Sequence, residues 1–232
     1  MTCLIALETA TEACSVALAV DGRVLARHEV APRRHAELVL PMCRDLIAEA
    51  GIARSAIDAV AVGRGPGAFT GVRLAIAIAQ GLALAWDRPV LPVSTLAALA
   101  HGAGSGAAAI CAAIDARMGE VYLGLYRRDG GALHALDEER LLAPTAVQLP
   151  HGSEPWSGIG TGFAAQDALL ARRLESRLVD LDASALPTAA AVAALALAAH
   201  ARGEAVDAAA VRPVYLRDKV ADTIAERAAR AG

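Results

Sequence analysis

The 232-residue sequence contains no asparagine and a single lysine, Lys219. That lysine lies in Arg217-Asp218-Lys219-Val220 and not behind a glycine-rich loop, so a Walker-type phosphate loop cannot be built, and the setting does not suit a Schiff-base lysine. Without asparagine there is no N-glycosylation acceptor and no asparagine amide to stabilise an oxyanion. Aromatic residues make up only 3%, namely Phe69, Trp86, Tyr122, Tyr126, Trp156, Phe163 and Tyr215. No segment therefore offers the stacked platform of a single-strand nucleic-acid binder. The formal charge is −3, from 22 basic and 25 acidic residues, so no global positive field attracts phosphate backbones and a nucleic-acid role has to be indirect.

Catalytic signatures are equally sparse. The histidines at 28, 35, 101, 134, 151 and 200 include no pair at i, i+3 or i+4, and no G-x-S-x-G elbow occurs. Cys3, Cys14, Cys43 and Cys111 form no C-x-x-C pair and sit in apolar runs, which favours buried reduced thiols and a cytoplasmic chain. The opening apolar run stops at Glu8 with no basic n-region, so no signal peptide is visible. The apolar stretches Val72–Trp86 and Ala189–Ala199 read as too short to span a membrane.

What is abundant is apolar surface: 56% hydrophobic residues and a mean hydropathy of +0.42, enough for one large or two small cores. Residues 2–7 read as a strand buried on both faces, 14–20 as a second strand, Asp21-Gly22 as a hairpin turn and 23–30 as a strand with one solvated face. Helices are expected over 35–51, closed by Gly51 and bent early by Pro41, and from the glycine loop to Trp86. Strands follow at 58–62 and 90–93, then a helix from Ser94, with 101–106 as the best linker. The plan then recurs. A run at 108–114 ends on Asp115, 120–126 forms the next strand, and Asp129-Gly130-Gly131 marks the next turn. Glu8 precedes Asp21 by thirteen positions and Asp115 precedes Asp129 by fourteen. Residues 156–160, the Gly160-Thr161-Gly162 loop and a helix over 163–174 echo the stretch from Val60, so an internal duplication is expected. The second copy replaces the 35–51 helix with a proline- and charge-rich segment, 137–155. Residues 187–203 form an alanine-rich helix and 219–231 a terminal one.

The fold class expected is α/β: a duplicated two-lobe plan of the actin, sugar-kinase and Hsp70 type. The first lobe would span 1–102 and a reduced second lobe 103–232, with the terminal helix packing back on the first. Glu8 and Asp115 would face each other across the interlobe cleft, where such folds hold magnesium and nucleotide; a solvated strand end is the other reading. With Thr9, Gly65 and Gly67 they form the candidate nucleotide or anion cleft. Gly63 to Arg73 packs four glycines into nine positions at a helix start. That suits either an anion- or partner-binding loop or a tight strand-to-helix turn against the neighbouring lobe. The 70–86 helix is apolar on nearly every face, with a small-residue seam at Ala77, Gly81 and Ala85, and the 35–51 helix carries an apolar arc of roughly 160°. Leu38, Val39, Met42, Leu46, Arg73, Leu74, Ala77, Ile78, Gly81 and Ala85 are therefore the expected partner face, unless the two helices simply cover each other.

Four stretches, Ile5 to Leu18, Gly63 to Arg73, Ile114 to Tyr122 and Pro213-Val214-Tyr215-Leu216-Arg217, closely resemble the TsaB (YeaZ) family of bacterial tRNA threonylcarbamoyladenosine biosynthesis proteins. The resemblance runs along almost the whole chain. It implies a non-catalytic, actin-like subunit, homodimeric when alone, that pairs with its catalytic paralogue TsaD and works with the ATPase TsaE, meeting tRNA only through the complex. It implies no cofactor or metal of the chain's own, with ATP or ADP conceivable at the complex junction. Two histidines hold the metal in the paralogue, and Thr95 and Leu99 stand in their places here. Glu8 departs from the family's usual aspartate. The competing reading is an independent enzyme, either a nucleotide hydrolase using Glu8 and Asp115 or a peptidase.

Overall fold

The computed structural model describes residues 2–217, so the expected 219–231 helix lies outside the described residues. Its eleven strands make two sheets. The first contains β1 (Leu4–Glu8), β2 (Ala13–Val20), β3 (Arg23–Val30), β4 (Ala59–Gly63) and β5 (Val90–Val93), in the order β3-β2-β1-β4-β5. β1 pairs antiparallel with β2 and parallel with β4. As the continuous apolar runs require, every residue of β1, β2 and β4 is buried, because helices cover both faces. β3 is the exposed edge.

The second sheet contains β6 (Ala109–Asp115), β7 (Val121–Asp129), β8 (Ala132–Ala135), β10 (Trp156–Ile159) and β11 (Leu178–Asp182), in the order β11-β10-β6-β7-β8, with β9 (Arg140–Leu142) added on β7. Its pairing repeats the first sheet strand for strand, with β6 antiparallel to β7 and parallel to β10. The fold is thus the duplicated actin-like α/β plan, with 137–155 supplying β9 and a buried Val147 in place of the missing helix.

The layers follow from which strand face each helix covers. α1 (His35–Ala50) and α2 (Phe69–Trp86) share one core with Ile5, Leu7, Val16, Leu18, Val60 and Val62. The opposite face, with Leu4, Ala6, Ala17 and Ala61, is covered by α5 (Ala189–Ala201). So this helix, placed in the second lobe by its sequence position, belongs to the first core; its first amide donates to the buried Ser15 hydroxyl on β2 at 2.9 Å. α3 (Thr95–His101), capped by Ser94, lies between the sheets and puts Leu96 and Leu99 against Ile110, Ile114 and Ile159. α4 (Ala165–Leu174) covers the outer face of the second sheet. It is shorter than the expected 163–174 helix, since Thr161–Phe163 is a 3-10 turn and residues 166–168 are left-handed. α2, at 18 residues, is long and apolar enough by length and composition to cross a membrane, longer than the 72–86 stretch suggests. Here Val72, Ala75, Ile76, Ala79 and Ala83 bury one of its faces in the first core.

Candidate cleft and partner face

A cleft of about 1060 Å³ lies between the lobes, walled by the exit of β1 (Ala10–Glu12), the first turn of α2, the exit of β6 with Asp115, and residues 214–217. Of the five residues expected there, only Gly67 and Asp115 line it. Asp115 is already engaged: its carboxylate accepts from the Arg117 amide at 2.8 Å and pairs with the Arg117 guanidinium at 2.9 Å. Thr9 is buried and donates its hydroxyl to the Gly71 carbonyl at 2.8 Å.

Glu8 turns the other way. It is 1% exposed; Oε1 accepts from the Ala10 amide at 2.7 Å and Oε2 from the Thr95 hydroxyl at 3.0 Å. Thr95 Oγ1 in turn accepts from the Gly65 amide at 3.2 Å. Burial pushes the Glu8 carboxyl up to about 7, against the lowering effect of the Ala10, Thr95 and Thr9 donors. Glu8 and Asp115 therefore do not form a pair of acids in one cleft, because the longer glutamate reaches into the space beside Gly63.

The glycine loop explains that space. A Cβ at Gly63 would stand 2.0 Å from Glu8 Oε2, and one at Gly71 2.0 Å from the Thr9 carbonyl oxygen. The loop packs against the exit of β1, and the Ala68 amide donates to the Ala10 carbonyl at 2.7 Å. Close backbone approach is thus the use these glycines serve. The cysteines are buried, and burial pushes the Cys43 and Cys111 thiols up to about 12.

On the outer side of α2, Arg73, Ala77, Gly81, Leu84 and Ala85 are exposed, Leu84 by 73%, and nothing stands within 4 Å of a Cβ at Gly81. α1 and α2 lie on the same face of the sheet without covering this side. Two residues assigned to the partner face are instead core: Val39 and Leu46 are 0% exposed. Leu38, Met42, Leu74 and Ile78 are half-buried. The wide arc of α1 thus spends its centre on its own sheet.

Residues 27–225 match the model of the family described as "TsaD: tRNA N6-adenosine threonylcarbamoyltransferase". The "tRNA threonylcarbamoyladenosine biosynthesis protein TsaB" of Escherichia coli strain K12 is 45% identical over 94% of this chain and 96% of its own, and that of Haemophilus influenzae is 37% identical over 94% of both. The solved structure "YeaZ from Pseudomonas aeruginosa" is 51% identical and covers 93% of this chain and all of its own, with a TM-score of 0.85. The chain belongs to the TsaB family.

Within this TsaB-type chain Thr95 and Leu99, the two positions expected to stand where the paralogue has histidines, are both buried. Thr95 is 0% exposed and bonded to Glu8; Leu99 is 1% exposed, and a Cβ at Gly160 would stand 2.5 Å from its Cδ2. Three exposed residues beside the expected partner face, Leu84, Phe69 and Tyr215, were not among those expected from the sequence. Leu84 follows from the seam itself, since it lies three residues after Gly81 on the same side.

Proposed function

We propose that this chain is a non-catalytic pairing subunit of the machinery that makes threonylcarbamoyladenosine in tRNA. It docks through α2 and the outer edge of α1 on a TsaD-type catalytic relative, and on a second copy of itself when alone. The observation that carries the reading is the use of Thr95 and Leu99: one braces Glu8 and the glycine loop, the other fills the core between the sheets. Neither is free to hold a metal, so the site where the relative does its chemistry is here a structural joint. A TsaE-type ATPase and tRNA reach this chain through the complex, which works in the cytoplasm. The cleft, walled by an α2 first turn with no side-chain cap, is where an adenine nucleotide would lodge at the junction; the chain carries no cofactor of its own.

Reconstitution tests this. Threonylcarbamoylation of tRNA by the relative and its ATPase is expected to require this chain and to be lost with Gly81→Arg. Activity that is the same with and without the chain overturns the reading, as does ATP hydrolysis by the isolated chain that Asp115→Asn abolishes.

A further inference from the structure

Three of the sequence motifs meet at one place that the pairing role does not explain. The segment 211–217 leaves the first core at Val211, which is 3% exposed, and runs along the mouth of the cleft. On the first lobe it is held twice. The Val214 amide donates to the Arg64 carbonyl at 2.8 Å. Gly65, at φ +93°, lets the Val214 carbonyl approach so closely that a Cβ would stand 3.0 Å from its oxygen. One residue on, the Tyr215 ring lies 5.7 Å from that of Phe69, and its hydroxyl accepts from Arg73 Nε at 2.5 Å. The Arg73 guanidinium lies 3.6 Å from the Phe69 centroid.

Arg217 then crosses to the second lobe. Its guanidinium pairs with Glu120 Oε2 at 2.9 Å and donates to the Ala116 carbonyl at 3.0 Å, and its side chain is only 16% exposed. The segment it grips, between β6 and β7, has three successive left-handed residues: Arg117 at φ +62°, Met118 at +55° and Gly119 at +82°. Two of these are not glycine, a conformation that persists only where surrounding contacts hold it. Inside the turn, the Ala116 amide donates to the Glu120 carbonyl at 3.0 Å and the Glu120 amide to the Arg117 carbonyl at 3.1 Å.

We propose that residues 211–217 are a clasp between the lobes: seated on the glycine loop and α2, they hold the 115–120 turn through Arg217 and so set the opening of the cleft. The glycine loop, the Asp115-Ala-Arg-Met-Gly-Glu120 turn and the Pro213-to-Arg217 segment are then the seat, the catch and the arm of one device. The proposal does not depend on the pairing reading, because it concerns the isolated chain.

Hydrogen exchange read by mass spectrometry on the full chain tests it. Arg217→Met is expected to speed exchange in the 114–122 peptide at least ten-fold while leaving β1 and β4 as they are. Arg212→Met is the control, since among the described residues Arg212 donates only to the nearby Ala209 and Val211 carbonyls. Unchanged exchange in 114–122, or equal acceleration everywhere, overturns the clasp. If Arg217→Met does not fold, Glu120→Gln decides: faster exchange confined to that peptide supports the clasp, and an unchanged rate overturns it.

Discussion

Replacing Glu8 by glutamine should change the pH dependence of stability more than stability itself. In the folded protein burial raises this carboxyl from about 4.5 to about 7. Its folded value exceeds its unfolded one, so the folded state binds the extra proton between those limits. Stability is therefore lost as pH rises from about 4.5 to about 7, and the full penalty remains above pH 7. A shift of that size corresponds to about 3 kcal/mol, of which about 2.5 kcal/mol falls between pH 5 and pH 8.5. No charged side chain contributes to the shift; it arises from burial, opposed by the Ala10, Thr95 and Thr9 donors.

The substituted glutamine side chain stays neutral across this range and can still accept from the Ala10 amide. Any fixed cost of exchanging acid for amide is the same at every pH, and other titrating groups cancel between the two proteins. Urea unfolding of wild type and Glu8→Gln at pH 5, 6, 7 and 8.5 is the assay. The variant should gain about 2.5 kcal/mol on the wild type over that interval. Two parallel pH profiles would refute the reasoning, because the buried acid would then carry no ionisation penalty.

Other perturbations separate neighbouring positions by sign. Gly63→Ala drives a methyl into the Glu8 carboxylate and should cost at least ~1–3 kcal/mol of unfolding free energy, measured by denaturant titration. Gly81→Ala, with open space at its Cβ, should stabilise the isolated chain by about 0.5–1 kcal/mol in the same titration. Leu84→Asp should leave stability within about 0.5 kcal/mol and yet abolish co-elution with the catalytic relative; intact co-elution removes α2 from the pairing surface. Thr95→Ala strips a donor from buried Glu8 and a partner from the Gly65 amide, so it should cost about 1–3 kcal/mol, more at pH 8.5 than at pH 5.

The strands were legible because runs such as Leu4–Glu8 and Ala59–Gly63 carry no alternating polar residues to mark a solvent face, which only a doubly covered strand tolerates. The matching Asp21-Gly22 and Asp129-Gly130-Gly131 turns exposed the duplication. The allegiance of α5 was not legible: thirteen residues that are apolar almost all round indicate burial but no direction. Nor could the α1 arc be divided in advance. Val39, at its centre, is in the core, whereas Leu40, one position on, is 48% exposed. The clasp joins residues 142 positions apart, Arg73 and Tyr215, and no local pattern encodes such a contact.

The duplication also accounts for the fate of the two strand-end acids. β1 and β6 occupy the same place in their sheets, and each is met at its exit by glycines: Gly63 at the end of β4 and Gly71 in the first turn of α2 on one side, Gly160 just after β10 on the other. Gly63 and Gly71 close on Glu8 and Thr9; Gly160 closes on Ala113, where a Cβ would stand 2.3 Å from the carbonyl oxygen. In the second half the glycine meets backbone two residues before the acid, so Asp115 stays at the cleft and is held by Arg117. In the first half the space left by Gly63 lies beside the acid itself, and Glu8 has the length to fill it and reach Thr95. Glutamate at 8 and threonine at 95 are thus one coupled feature, a joint between the exit of β1, the glycine loop and the start of α3.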